Sequence, residues 1–245
     1  CAAFPRPSLV GQSLVARAQL AINLRSALLE AQWGSAKSWT SLILMIEAGG
    51  REVTPDDLAN LPEFGDAQEE FGDARLYTEA AVREALGAGK ALRRGLHDWD
   101  HEPIEIQRLQ LAITEITDFP RPQPSGRKLA QEATQVVDVR AALLKVSWSS
   151  AESWLPLVNQ LDGVPPEMGD IEEIAAARDE MLEKQAAVVE HLKGQMATGC
   201  AIRREGAPWD HTTITTAPLE AAASECEMFP RPHPESAKLV KSART

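Results

Sequence analysis

The sequence predicts an all-α protein: tandem repeats of antiparallel three-helix bundles, each roughly 110 residues long, joined by Phe-Pro-Arg-Pro linkers. Three observations lead there. The tetrapeptide Phe-Pro-Arg-Pro occurs three times, beginning at Phe4, Phe119 and Phe229, with starts 115 and 110 residues apart. The residues that follow the first two copies match each other. Apolar residues recur at three-and-four spacing, and no stretch alternates with the period of two that marks a strand.

The match carries through most of each copy. A shift of 115 pairs Arg25 with Arg140, Ala27-Leu28-Leu29 with Ala142-Leu143-Leu144, Trp33 with Trp148 and Trp39 with Trp154. In the middle the register changes, and Pro62-Glu63-Phe64-Gly65-Asp66 resembles Pro166-Glu167-Met168-Gly169-Asp170. Nearer the end a shift of 110 pairs Gly89, Arg93, Arg94 and Trp99-Asp100-His101 with Gly199, Arg203, Arg204 and Trp209-Asp210-His211. Changes of shift place insertions in loops, which accept them. The expected organisation is 1–3 as the end of a preceding repeat, 4–118 as repeat one, 119–228 as repeat two and 229–245 as the beginning of repeat three. Cys1 precedes Phe4 by three residues, as Cys226 precedes Phe229. This leads to the expectation of a longer polypeptide with copies on both sides.

Within a copy the first helix is expected from about Leu14 to Ile46. Leu14, Ala18, Ala21, Leu24, Leu28, Ala31, Ser35, Trp39 and Leu42 lie on one helical face. Pro156 is expected to kink the second copy's version of it. Thr54-Pro55-Asp56-Asp57 reads as a cap, a first-position proline and first-turn acid, so a short helix is expected near 55–60. A second long helix is expected over 66–86 and 170–196, ended by Gly87, Gly89 and Gly199. A third is expected over about 102–117 and 213–225. Two prolines then stop any continuation, so Phe4, Pro5, Arg6 and Pro7, Phe119, Pro120, Arg121 and Pro122, and Phe229, Pro230, Arg231 and Pro232 read as stiff, extended linkers. The phenylalanine is expected to pack into the adjoining bundle. Spectrin-type repeats are similar in length and in carrying core tryptophans. They run one helix into the next, where this chain sets its prolines, so no family is assigned.

Composition narrows the function. Of 245 residues, 44% are apolar and 25% charged, and the net charge is −11. That is globular composition. The acidic balance argues against nucleic acid as a partner, and no apolar run is long enough for a membrane span. Three cysteines are too few for a disulfide framework. With no leader sequence visible, the compartment leans intracellular and is otherwise open.

The candidate residues carry modest chemistry. His97 and His101 have the four-residue spacing of zinc ligands on a helix. The second copy, however, replaces His97 with Ala207 and inserts Pro208. What both copies retain is Trp-Asp-His, so Asp100, His101, Asp210 and His211 are read as caps of the third helix. Arg93, Arg94, Arg203 and Arg204 are candidate protein contacts that also offset a helix dipole. Trp39 and Trp154 belong to the core. Trp33 and Trp148 lie off the main stripe, as core, inter-repeat or partner contacts. The acidic run at 63–73 lacks calcium-loop spacing, and no phosphate loop, dinucleotide fingerprint or nucleophile elbow is found. The expectation is therefore no catalytic, cofactor or metal residue. Function is read as a non-enzymatic scaffold segment acting through neighbouring repeats of the same chain and an unknown protein partner. The alternatives are a binding module that is an accessory subunit of a large assembly, and one product of a repeated polyprotein.

Overall fold

The structure is a computed structural model that describes residues 8–95, 98–203, 206 and 208–244. Among these the chain is mostly helical. In order come α1 (Leu9–Glu30), α2 (Thr40–Glu52), α3 (Pro55–Ala59), α4 (Pro62–Gly87), β1 (Leu92–Arg94), β2 (Asp98–Asp100), α5 (Gln107–Asp118) and α6 (Pro124–Leu143). Then follow α7 (Leu155–Gly163), α8 (Glu172–Ala197), β3 (Ile202–Arg203), β4 (Trp209–Asp210), α9 (Ala217–Met228) and α10 (Ser236–Arg244). The linker and cysteine residues at 1–7 lie outside the described residues, as do His97, Arg204 and Ala207.

Two compact units divide the chain. The first gathers the described residues through Gly89 with Glu105–Thr134, and the second gathers Lys90–Ile104 with Gln135 onward. The division falls inside α6 rather than at Phe-Pro-Arg-Pro. It assigns β1 and β2 to the unit that follows them in sequence.

The expected first helix is two helices. In the first unit the Gln32 amide donates to the Ser38 hydroxyl at 2.8 Å, and the Trp39 indole Nε1 donates to the Gln32 carbonyl at 3.1 Å. These bonds supply partners for backbone groups that a continuous helix would use internally. The chain therefore leaves α1 and makes a 3₁₀ turn at Ala36–Trp39 before α2. In the second unit Ser153 and Trp154 do the same: the Ser147 amide donates to Ser153 Oγ at 2.8 Å, and Trp154 Nε1 donates to the Ser147 carbonyl at 3.1 Å. Period alone could not separate the two helices, because the turn keeps the apolar residues of both on one core. Pro156 kinks nothing. It stands in the first turn of α7, where a proline is accommodated.

The core of the first unit forms around Leu20, Leu24, Trp39, Leu42, Phe71 and Phe119. That of the second forms around Leu143, Trp154, Leu157, Met181, Leu192 and Phe229. Each phenylalanine of a described linker thus enters the core of the unit holding the helix before it. Phe119 meets Phe71 at 5.1 Å between ring centroids, and Phe229 meets Trp154 at 6.1 Å. The linker arginines clamp the same units. Arg121 donates to both carboxylate oxygens of Glu47, at 2.8 and 3.2 Å, and Arg231 pairs with Asp162. Arg121 makes its clamp from a left-handed backbone, with φ of 56°. Its guanidinium holds the Glu47 carboxyl below the usual range.

The short helix α3 is built as expected of its residues, with the Thr54 side chain accepting from the Asp57 amide at 3.3 Å. Asp57 Oδ2 takes hydroxyl hydrogen bonds from Ser13 at 2.8 Å and Thr54 at 2.9 Å. The Ser13 bond first, then Thr54, holds the Asp57 carboxyl below its usual range. A depressed carboxyl contributes stability that is full above its unfolded pKa and is lost as pH falls through the folded value. Ser13→Ala is therefore expected to lower the thermal midpoint at neutral pH and to lose that effect in acid, measured by melting both proteins across the carboxylate range.

Candidate functional site

The fold also overturns the expected absence of strands. After α4 the chain forms a hairpin in which Leu92 pairs with Asp100, Arg93 with Trp99 and Arg94 with Asp98. A second hairpin pairs Ile202 with Asp210 and Arg203 with Trp209. Strands of two or three residues are too short to show alternation. The glycines expected as helix stops close the hairpin bases. Gly89, at φ of 67°, accepts the Glu105 amide at 3.0 Å, and a Cβ there would sit 2.5 Å from the Glu105 Cβ. Gly199, at φ of 71°, accepts the Thr215 amide at 3.2 Å, and its Cβ would sit 2.0 Å from Thr215 Oγ1. Only glycine suits both positions.

The Trp-Asp-His residues consequently do not cap the third helix, whose described starts are Gln107 and Ala217. Asp100 Oδ1 accepts the Glu102 amide at 3.1 Å, and its other oxygen pairs with Arg94. Asp210 caps a single 3₁₀ turn, His211–Thr213, accepting the Thr212 amide at 3.0 Å and hydroxyl at 2.5 Å. The Thr212 hydroxyl, then its amide, keeps the Asp210 carboxyl low. His211 is exposed. His101 does something else.

His101 Nε2 lies 2.8 Å from Oε1 of Glu180, a carboxylate on α8 with no exposed surface. The Trp148 indole Nε1 donates to the same oxygen at 3.3 Å. Lys184, one helical turn on, is also buried. Its Nζ donates to the Trp148 carbonyl at 2.7 Å and to Glu225 at 2.5 Å. Glu180 Oε2 finds no partner among the described residues. Charge buried this deeply is tolerated only where it is bonded, so the hairpin residue His101 and Trp148 are held to one carboxylate.

Around this centre the hairpin is fastened along α8. Arg93 pairs with Glu183 and lies 5.5 Å from the Trp99 ring centroid, a cation–π distance. Lys90 donates to Glu172 at 2.8 Å, and the Glu172 carboxyl is lowered by it. Trp99, Arg93, Ala176, Leu182 and Ala186 line one shallow groove. Ala91 and Ile104, at the two ends of the hairpin segment, pack against the core of the second unit. Arg94 stays within the hairpin, pairing with Asp100. The Arg203 side chain lies outside what the structure describes.

The tryptophans divide as the stripe implies. Trp39 and Trp154 are buried, and each meets its neighbour edge-on at 5.5 Å, Trp33 and Trp148 respectively. Trp33 is 53% exposed and stacks edge-on against Tyr77, itself 52% exposed.

Sequence reading missed Glu180, Glu173 and Lys184, and the reason is a register. It aligned Pro62 with Pro166, but Pro166–Met168 is a 3₁₀ turn ahead of α8. Helices α4 and α8 are each 26 residues and begin 110 apart, at Pro62 and Glu172. The shift that paired Gly89 with Gly199 runs through the whole helix, and sets Glu63 against Glu173 and Glu70 against Glu180.

No family model, curated protein or solved structure matches this chain. Among the described residues no group of His, Cys, Asp and Glu is placed to hold a metal ion, and no helix is long and apolar enough to cross a membrane. Cys200 is exposed, Cys226 is buried, and both are free.

Proposed function

We propose that this chain is a non-enzymatic scaffold segment of tandem helical repeats, in which each copy lends its hairpin to the copy that follows. The observation that carries the reading is the hairpin at 92–100. By sequence it belongs to the first copy, yet it folds into the compact unit of the second, on Glu180, Glu183 and Trp148. Copies that exchange an element in this way gain their order from their neighbours, as in other quasi-one-dimensional arrays.

Recurring contacts support the reading. The Ser-Trp turn occurs at Ser38-Trp39 and Ser153-Trp154. An arginine of the first helix pairs with a glutamate of the long helix at Arg25–Glu63 and at Arg140–Glu173. A linker arginine pairs with a carboxylate at Arg121–Glu47 and Arg231–Asp162. The partners in each pair are related by a shift of 115 or 110, with the register of Glu63 and Glu173 taken from the starts of α4 and α8.

Hydrogen exchange on the full chain tests it. Glu180→Ala removes the acceptor shared by His101 and Trp148. The amides of 92–100 are then expected to exchange about tenfold faster or more, with α1 and α4 unchanged. Unaltered protection of the hairpin would mean that this joint does not fasten one copy to the next. The reading as a binding module draws on one further observation, the exposed edge-on pair of Trp33 and Tyr77.

A further inference from the structure

His101 is where solvent reaches the dock that α8 makes for the 92–100 hairpin. Its side chain is 18% exposed, while that of Glu180, 2.8 Å away, has no exposed surface. Histidine is the side chain that ordinarily changes charge near neutral pH. A proton from water can therefore act on this buried carboxylate through one ring.

The charges around the pair decide what that proton does. Arg93 of the hairpin pairs with Glu183 on α8, and Arg94 pairs with Asp100 inside the hairpin. Lys184 on α8 pairs with Glu225 on α9, and Arg140 on α6 pairs with Glu173 on α8. Asp179, also on α8, is exposed to water. Glu180 differs from all of these. Among the described residues it meets no Lys or Arg; one oxygen takes His101 and the Trp148 indole, and the other takes nothing. A neutral imidazole can still donate through Nε2, so the hydrogen bond survives without the extra proton. The anion is then buried against neutral donors alone, which is costly. With the proton present the bond is charge-assisted, and bonds of that kind are the stronger ones.

We infer that the hairpin is clasped by one proton shared between His101 and Glu180, so that the joint tightens in mild acid and loosens in mild base. The proton belongs to the pair, whichever atom carries it. Undocking separates the two groups and lets water solvate each. The docked state then holds more protons near neutrality than the undocked one, so docking gains as pH falls. The inference rests on the docked hairpin proposed above and adds a condition to it.

Hydrogen exchange on the full chain tests it, with the amides of 92–100 read against those of α1 so that the pH dependence of exchange itself cancels. From about pH 8 down to about pH 5, the relative protection of the hairpin should rise about fivefold or more. His101→Gln keeps a neutral donor and cannot take the proton. It should match the unaltered chain at the alkaline end and show no rise. Glu180→Gln removes the charge from the other side and should also abolish the rise. Relative protection that stays flat with pH in the unaltered chain would overturn the inference, and so would an undiminished rise in either variant. Those results leave the repeat reading standing if Glu180→Ala still frees the 92–100 hairpin, so the two failures are distinguishable.

Discussion

Replacing Arg140 by Ala should destabilise the second unit by about 3–5 kcal/mol, while replacing Arg25 by Ala should cost the first unit less than about 1 kcal/mol. The two arginines make the same pair. Arg140 donates through Nε to Glu173 Oε1 at 2.7 Å and through Nη2 to Oε2 at 3.1 Å, so the fork is bidentate. Its side chain has no exposed surface and that of Glu173 only 6%, whereas the Arg25 side chain is 68% exposed in its pair with Glu63. Burial decides the difference. Removing Arg140 strands an anion away from water, and removing Arg25 leaves a carboxylate that water reaches. The double change Arg140→Met with Glu173→Leu should recover most of the loss, because no uncompensated charge remains. Amide exchange along α8 and along α4, read beside urea denaturation, reports each unit separately. Equal losses at Arg25 and Arg140 would show that burial does not govern the pair.

That contrast also marks what the sequence could and could not convey. The identity of Arg25 and Arg140 under a shift of 115 is visible in the letters, and so are the helical periods of α4 and α8. How deeply an arginine sits is not, since burial depends on what covers it. The break between α1 and α2 was hidden for a related reason. Its cause is two side-chain bonds, from Ser38 and Trp39 to Gln32, and hydrophobic period does not register hydrogen bonds. The hairpins were hidden because strands of two or three residues carry no period at all. Gly89 and Gly199 signalled them, and read as helix stops they gave only half of their meaning. The dock was the hardest to find. Glu180, Lys184 and Glu225 look like ordinary surface charges on amphipathic helices. Only the recurrence of a glutamate at 70 and 180, under the register fixed by the glycines, distinguishes one of them.

Trp154→Ala should be the costliest single truncation after Arg140→Ala, at about 3–5 kcal/mol. The side chain is fully buried. It touches Phe229 on one side and Trp148 on another, and its indole N–H closes the turn that separates α6 from α7. Its loss therefore opens a cavity and loosens the turn and the linker phenylalanine together. Trp154→Phe isolates the polar part. The Ser147 carbonyl would still accept the Ser153 hydroxyl, at 3.0 Å, so it is not orphaned. The phenylalanine variant should accordingly lose clearly less, on the order of 1–2 kcal/mol. Trp148→Ala should fall near the same value, because that ring is already 36% exposed and chiefly forfeits its bond to Glu180. Midpoints of denaturant unfolding for the three variants give the order directly. If Trp148→Ala proved as damaging as Trp154→Ala, the second ring would be a core residue in its own right, and its place as the partner of a docked hairpin would have to be given up.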